Sequence, residues 1–399
     1  MRPKYRIPWI LNIFVYLCFG IFLLIFLFYK NPIYIHKYIG LHMLLKLPST
    51  YLMPCHPTIN IVFLKTHKTG SSTVQNMLFR FAENHSLSVA LPAGKGIHLG
   101  YPNQFQAQFT QGFNTVNQNY NILCNHMRFS YPEVQKVMPN NTFYFSILRS
   151  PVSLLESSFT YYKYNVEAFH KAKDLNEFLA SPWNYYKPND SRSFFARNPM
   201  WYDFGYDNNA EDREDYVHSV LEEINRRFQL ILITEYFDES MLLLKNTLCW
   251  ELEDVVYFQL NSRSSDTIQN LTQESKERVK QWCSLDWKLY EHFNRTFWRK
   301  IQQTIGLNKM QKDLKLLQKR QKELLNRCVQ NAKPMHKSQI KDLKFRPYQS
   351  RKASIMGYNL KPGLDNKTMR VCQRMILPEV QYTALLYARQ FPKKPKTLR

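Results

Sequence analysis

The sequence predicts an α/β protein whose mainly parallel central sheet is flanked by helices and stands behind an N-terminal transmembrane helix. Three observations point there. Short apolar runs rich in β-branched residues are each followed by a polar loop, the residues after those loops show helical apolar spacing, and one long uncharged apolar stretch occupies the start of the chain.

That first stretch runs from Pro8 to Tyr29, about the 20 residues a helix needs to cross a bilayer. Arg2, Lys4 and Arg6 precede it, while Lys30 and Lys37 follow more sparsely, so the positive-inside rule leaves the N-terminus in the cytosol. A cleaved signal peptide needs a shorter apolar core and small residues at its end, whereas Phe26, Leu27, Phe28 and Tyr29 close this one. The expected organisation is a cytoplasmic tail over 1–7, a signal anchor over 8–29 and a stem over 30–57. A lumenal domain over 58–345 and a C-terminal extension with a basic tail over 346–399 follow.

Ile59 to Leu64 reads as a buried strand, followed by a polar loop and a helix with Val74, Met77, Leu78 and Phe81 on its apolar face. Thr142 to Leu148 reads as a second strand, then Arg149, Ser150 and Pro151 lead into a helix with Leu154, Leu155, Phe159 and Tyr162 as its stripe. Leu230 to Thr234 is a third candidate strand. Such alternation argues for a parallel sheet covered on both faces, whose ligands bind beyond the carboxyl ends of the strands. From Phe297 to Cys328 the pattern is a basic amphipathic helix with Ile301, Ile305, Leu314, Leu317 and Leu324 on one face, and from Arg346 onward the chain reads as irregular.

Lysine and arginine total 54 against 31 acidic residues, a formal net charge of +23 that favours anionic partners without choosing among them. Six acceptor tripeptides for N-glycosylation follow the apolar run, at Asn84, Asn140, Asn189, Asn270, Asn294 and Asn366. Cys55, Cys124, Cys249, Cys283, Cys328 and Cys372 also lie beyond it; an oxidising lumen permits disulfides among them, and the spacing does not select a pairing. None forms a Cys-x-x-Cys pair, which argues against a zinc site.

The chemistry concentrates in two loops. The first, Lys65-Thr66-His67-Lys68-Thr69-Gly70-Ser71-Ser72-Thr73, joins a strand to a helix start. Its backbone N–H groups and the positive end of the helix dipole suit an anion, Lys68 adds a charge, Gly70 allows close approach, and the hydroxyls of Thr69, Ser71, Ser72 and Thr73 are candidate donors. It departs from a Walker A loop because the first glycine is missing and the lysine precedes the single glycine, which removes most support for a kinase or ATPase. In the second loop Arg149 ends a strand and Ser157 follows eight residues later; the guanidinium offers a planar fork for a phosphate. Together the two suggest one nucleotide gripped at two phosphate groups.

Lys65 to Thr73 resembles the 5′-phosphosulfate loop of sulfotransferases that use 3′-phosphoadenylyl sulfate (PAPS), and Arg149 to Ser157 resembles their 3′-phosphate motif. The segment Cys124-Asn125-His126-Met127-Arg128-Phe129, taken with Thr66 to Ser72, is similar to the galactose 3-O-sulfotransferase family, and the likeness extends from about Ile59 through Trp298. Within that family it leans towards the branch acting on glycoprotein glycans. The resemblance implies a P-loop-like sulfotransferase fold in the Golgi lumen, anchored in the Golgi membrane as a single-pass type II protein. It also implies transfer of a sulfo group from PAPS, with no metal required, to the 3-hydroxyl of a terminal β-galactose on a glycoprotein or glycolipid.

By the same resemblance Lys68 binds the 5′-phosphosulfate and stabilises the leaving oxygen, with Lys65, Thr66, His67, Thr69, Gly70, Ser71, Ser72 and Thr73 completing the cradle, while Arg149 and Ser157 hold the 3′-phosphate. His126 matches the histidine base of the related uronyl 2-O-sulfotransferases. His67 and His98 are rival bases, Glu133 and Glu156 are carboxylate candidates, and Arg128 is a candidate for acceptor or donor contact. Tyr161, Tyr162, Tyr164, Trp183, Tyr185, Tyr186, Trp201 and Tyr202 offer rings for sugar stacking, most of them expected in the core.

Two other classes compete. A type II glycosyltransferase shares the anchor, but no two aspartates here are separated by one residue, so only a metal-independent type survives. A non-catalytic protein binding anionic glycans explains the charge and leaves the Lys65 to Thr73 loop without a purpose. Nucleic acid is not an expected partner, and oligomeric state is open.

Overall fold

The computed structural model describes residues 55–94, 96–113, 119–350 and 352–392. The apolar run from Pro8 to Tyr29, the stem up to residue 54 and the basic tail from residue 393 lie outside the described residues. No described helix is long and apolar enough to cross a membrane.

Four parallel strands form the sheet: β1 (Ile61–Leu64), β2 (Ile122–Leu123), β3 (Phe143–Leu148) and β4 (Leu230–Ile233), in the order β2-β1-β3-β4. Three are the strands the sequence predicts. β2 is two residues long, too short for a periodicity to show. Ile61, Val62, Phe63 and Leu64 are all fully buried, the unalternating pattern of a strand covered on both faces. The chain leaves β1 towards one edge to make β2, then crosses back to make β3. The crevice between the carboxyl ends of β1 and β3 is therefore the switch point where a parallel sheet takes its ligand.

Along the chain, α1 (Ser71–Asn84) follows β1, α2 (Pro151–Tyr162) follows β3, and a short α3 (Pro199–Asp203) lies between β3 and β4. After β4 come α4 (Phe237–Leu248), α5 (Ser284–Thr304), α6 (Leu307–Cys328), α7 (Asn366–Ile376) and α8 (Glu379–Gln390). The basic helix expected from Phe297 to Cys328 is thus two helices. Gly306 adopts φ 79°, in the left-handed half of backbone space, and ends the first. Phe297 and Ile301 stay buried on α5, and Met310, Leu317 and Leu324 on α6.

The segment from Arg346 is more ordered than its sequence suggests. Asp365 caps α7 by accepting the Thr368 N–H at 2.9 Å, and Thr368, Cys372, Met375 and Ile376 form its buried stripe. Asn76, on the polar side of α1, donates to the carbonyls of Arg374 (2.9 Å) and Leu377 (3.2 Å). The C-terminal helices therefore cover a face of α1 that reads as solvent-exposed. A Cys328–Cys372 disulfide joins the end of α6 to α7, closing a loop of 44 residues. Cys55 and Cys249 are disulfide-bonded too, whereas Cys124 and Cys283 are buried thiols.

Candidate active site

β1 delivers Lys65 to Gly70 to the crevice, and α1 begins at Ser71. Lys68 and Gly70 take φ of 60° and 73°, so the loop folds back tightly before the helix. A Cβ on Gly70 meets the Phe237 ring at 3.2 Å, which leaves the left-handed turn to glycine. No side chain caps the first turn of α1 and no acidic residue stands in it. The orphan N–H groups and helix dipole of a 14-residue helix thus meet no side-chain acceptor or carboxylate from their own turn.

The hydroxyls of this loop differ from expectation. Thr69 Oγ1 and Ser71 Oγ donate to the Thr66 carbonyl (3.1 and 2.6 Å), and Ser72 Oγ donates to Glu379 (3.0 Å). Thr73 Oγ1 accepts the Leu260 N–H at 3.0 Å, and Thr66 Oγ1 donates to the Ile147 carbonyl at 2.5 Å. These groups hold the loop's shape instead of reaching outward. Lys65 is similarly committed: its ammonium, in a residue 1 % exposed, meets Ser72 Oγ (3.2 Å), His126 Nε2 (3.1 Å) and Glu379 Oε2 (3.3 Å). Lys68 has no ion-pair partner among the described residues and lies over the Tyr161 ring.

The second loop joins the first directly. Arg149, just beyond β3, donates from Nη1 to the Lys68 carbonyl at 3.0 Å, and Thr234, just beyond β4, donates to the carbonyls of Thr69 (2.7 Å) and Leu148 (2.9 Å). Ser157 is buried on α2, the helix Arg149 leads into. Lys68 lies with its ammonium 3.5 Å from the centre of the Tyr161 ring. Its pKa is lowered to about 7, by burial first and then by the charges of Arg149, Arg263 and Lys65. Lys68, Arg149, Arg263 and Lys65 thus lie near one another, with Lys65 paired to Glu379 and Arg263 to Glu156. The sequence reading missed Arg263, which arrives from a loop held by Glu156 at 2.5 Å.

Glu156 is thereby assigned: it pairs with Arg263 and accepts the Gln269 N–H at 3.0 Å. Glu133 accepts the Ala107 N–H at 3.0 Å and pairs with Lys136. Both carboxylates are thus paired within the fold. Arg128 donates to the carbonyls of Gly205 (3.3 Å) and Tyr206 (3.1 Å) and lies 4.2 Å over the Tyr202 ring, bracing the turn after α3.

Three histidines gather beside the loop. His126 donates from Nδ1 to the Lys65 carbonyl at 3.2 Å, so its Nε2 is the acceptor for the Lys65 ammonium. Burial, then the Lys65 charge, holds its pKa well below the usual imidazole range, and burial lowers that of His98. His67 stacks on His126 with ring centroids 4.0 Å apart, and its Nδ1 lies 3.0 Å from both carboxylate oxygens of Asp203.

Of the aromatic candidates, Trp201 and Tyr186 are core residues, while Trp183 and Tyr164 are exposed. Tyr162 stacks on Phe195 at 4.0 Å, and Phe195 in turn meets His67 edge-on at 5.0 Å, which places those rings beside the histidines. Asn84, Asn140, Asn189, Asn270 and Asn366 are exposed, as glycan acceptors must be. Asn294 is the exception: it sits inside α5 with its side-chain oxygen buried.

A family model described as galactose-3-O-sulfotransferase matches residues 4–390. The chain belongs to the galactose-3-O-sulfotransferase family. It is 56 % identical over 342 residues to galactose-3-O-sulfotransferase 2 of Sus scrofa, covering 85 % of this chain and 86 % of the relative. The Homo sapiens protein of the same name is 54 % identical over 343 residues, with 85 % of each chain covered. The Homo sapiens galactosylceramide sulfotransferase is 41 % identical over 332 residues, 82 % of this chain and 78 % of that one. Membership makes the protein a sulfotransferase and implies PAPS as its donor.

The residues present fit that donor, because Lys68 and Arg149 meet at a turn whose helix N-terminus has no capping side chain. A measurable consequence follows from Lys68. With a folded pKa near 7 and an unfolded value of 10.5, the unfolded chain binds more protons between those values, so the unliganded fold gains stability as pH rises through that window. An anion beside Lys68 restores its charge. Binding of adenosine 3′,5′-bisphosphate is therefore expected to take up protons above neutral pH, with affinity falling as pH rises. Calorimetry in two buffers of different ionisation enthalpy reads this directly; proton release contradicts it.

Proposed function

We propose that the protein transfers a sulfo group from PAPS to the 3-hydroxyl of a terminal β-galactose on glycoprotein glycans or glycolipids. The observation that carries this reading is the junction of the two loops at the Lys68 carbonyl, where Arg149 from the end of β3 meets the turn that follows β1. The arrangement suits a nucleotide with a phosphate at each end. The relatives named above, two galactose-3-O-sulfotransferases and a galactosylceramide sulfotransferase, support a galactose hydroxyl as acceptor.

When bound, PAPS supplies a sulfo group on a phosphate leaving group. Lys68 and the N-terminus of α1 hold the 5′ side and meet the negative charge that grows on the departing oxygen. Arg149 and Ser157 hold the 3′-phosphate, and Arg263 adds a fourth charge to the crevice. Lys65 shapes the turn from beneath, and a histidine of the His67–His126 pair receives the acceptor's proton. Tyr162 stacks on Phe195, which meets His67 edge-on, so these rings lie beside that pair and are the candidates for a sugar face.

The chain is further proposed to sit in the Golgi membrane as a single-pass type II protein. Residues 1–7 are then cytoplasmic, 8–29 span the bilayer, 30–57 form the stem and 58 onward lies in the lumen. The Cys328–Cys372 disulfide and five exposed glycosylation sites support an oxidising, secretory compartment. The test of the activity is incubation of the full-length protein with radiolabelled PAPS and a panel of galactosides, then mapping of the sulfated carbon. Label on the galactose 3-oxygen is expected, and label on another carbon or on no galactoside refutes the reading.

A further inference from the structure

We propose that His67, held by Asp203, is the base that takes the proton from the acceptor hydroxyl, and that His126 positions Lys65 instead. The inference rests on the sulfotransferase reading above and assigns the proton's destination within it.

Asp203 is fully buried, and its carboxylate accepts the His67 backbone N–H at 2.8 Å and the Tyr101 hydroxyl at 2.9 Å as well as His67 Nδ1. A carboxylate only accepts, so Nδ1 carries the proton and the lone pair of His67 lies on Nε2. No hydrogen bond among the described residues engages Nε2. His126 presents the opposite arrangement. Both of its ring nitrogens are occupied, and a proton on its Nε2 sets a second positive charge against the Lys65 ammonium, now 3.1 Å away. On His67 the same proton creates an imidazolium beside a carboxylate. The Coulomb interaction opposes one transfer and favours the other.

The surroundings fix His67 as a base must be fixed. Its ring is stacked on His126, edge-on to Phe195 and tilted against Tyr101 at 4.6 Å. Asp203 is the last residue of α3, whose first turn is anchored by Asp286 on α5 accepting the Met200 and Trp201 N–H groups at 3.1 and 2.8 Å. The Asp203 carbonyl accepts the Phe129 N–H at 2.9 Å. Gly205 next in the turn admits no Cβ, which falls 2.3 Å from the Phe129 carbonyl oxygen. Because His67 and Lys68 are consecutive, the proton acceptor and the cation for the leaving oxygen ride on one rigid turn.

The step balances. A lone pair of the acceptor oxygen forms the bond to sulfur and the oxygen's proton passes to His67 Nε2. The bond between sulfur and the bridging oxygen breaks with its pair going to the phosphate. The imidazolium then loses its proton to water.

The experiment uses the full-length chain and begins with wild-type transfer and wild-type affinity for adenosine 3′,5′-bisphosphate; a wild type without transfer sinks the function reading, not this assignment. His67→Gln is then expected to lower kcat by about 10³-fold and Asp203→Asn by about 10²- to 10⁴-fold, each keeping bisphosphate affinity within about threefold. His126→Gln is expected to weaken bisphosphate binding and keep kcat at saturating donor within about tenfold, because it loosens Lys65 and spares the base. Added imidazole restores turnover to His67→Gly and not to His126→Gly. In proton spectra of the wild type, a low-field His67 Nδ1–H signal is expected that persists in His126→Gln and disappears in Asp203→Asn, a readout independent of turnover. The assignment is overturned if His126→Gln abolishes kcat while His67→Gln keeps more than a tenth of it, if imidazole rescues the His126 variant alone, or if no such signal exists.

Discussion

Lys68→Ala is expected to lower kcat by about 10³-fold or more, the scale on which removing a preorganised donor from a developing negative charge acts. The ammonium is surrounded by Arg149, Arg263 and Lys65 and rests on the Tyr161 ring. In the unliganded protein those neighbours repel it. Its deletion is therefore expected to leave the unfolding temperature unchanged or raised, so that loss of turnover cannot be ascribed to loss of fold. Steady-state kinetics alongside thermal unfolding checks both halves. A variant that keeps more than a tenth of wild-type kcat removes Lys68 from the chemistry, and one that loses both activity and fold makes it structural.

Arg149→Ala is expected to act on binding more than on turnover. The guanidinium offers two charge-assisted hydrogen bonds to a phosphate, each about 1.5–3 kcal/mol, so Kd for adenosine 3′,5′-bisphosphate rises by about 10²- to 10⁴-fold. At saturating donor kcat falls less, and its remaining decrease reflects the lost tie from Nη1 to the Lys68 carbonyl, which helps hold the loop at its left-handed φ. Arg149→Lys recovers part of the affinity through charge alone, without the fork. Titration calorimetry of the two variants separates these contributions; equal affinity for wild type and Arg149→Ala contradicts the assignment.

What was legible in the sequence was local. A strand end, a turn and a helix start are contiguous, so the loops after β1 and β3 could be read as anion sites and the sheet as parallel. The partners that give each side chain its task are not contiguous. Asp203 lies 136 residues from His67, and Glu379 lies 307 residues from Ser72. No spacing rule links either pair, so the sequence could not show that a carboxylate holds His67 or that Ser72 is paired within the fold. The C-terminal helices were missed for a related reason. Asn76 and its neighbours on α1 read as a solvent face until α7 and α8 cover them. Their signals in the sequence are the Asp365 cap and the stripe through Cys372 and Ile376. Gly306, which splits the long basic helix, was visible as well, because an isolated glycine in a helical pattern marks a place where the helix can end.

The proposed enzyme must hold a doubly phosphorylated adenosine in one crevice at the switch point of the sheet. Equilibrium titration of the intact chain with adenosine 3′,5′-bisphosphate tests it most directly. Saturation at one ligand per chain with a Kd of about 10⁻⁶ M or tighter, displaced by the sulfo donor and weakened in both Lys68→Ala and Arg149→Ala, is the predicted result. Absence of saturation at millimolar ligand, or binding indifferent to both substitutions, contradicts it.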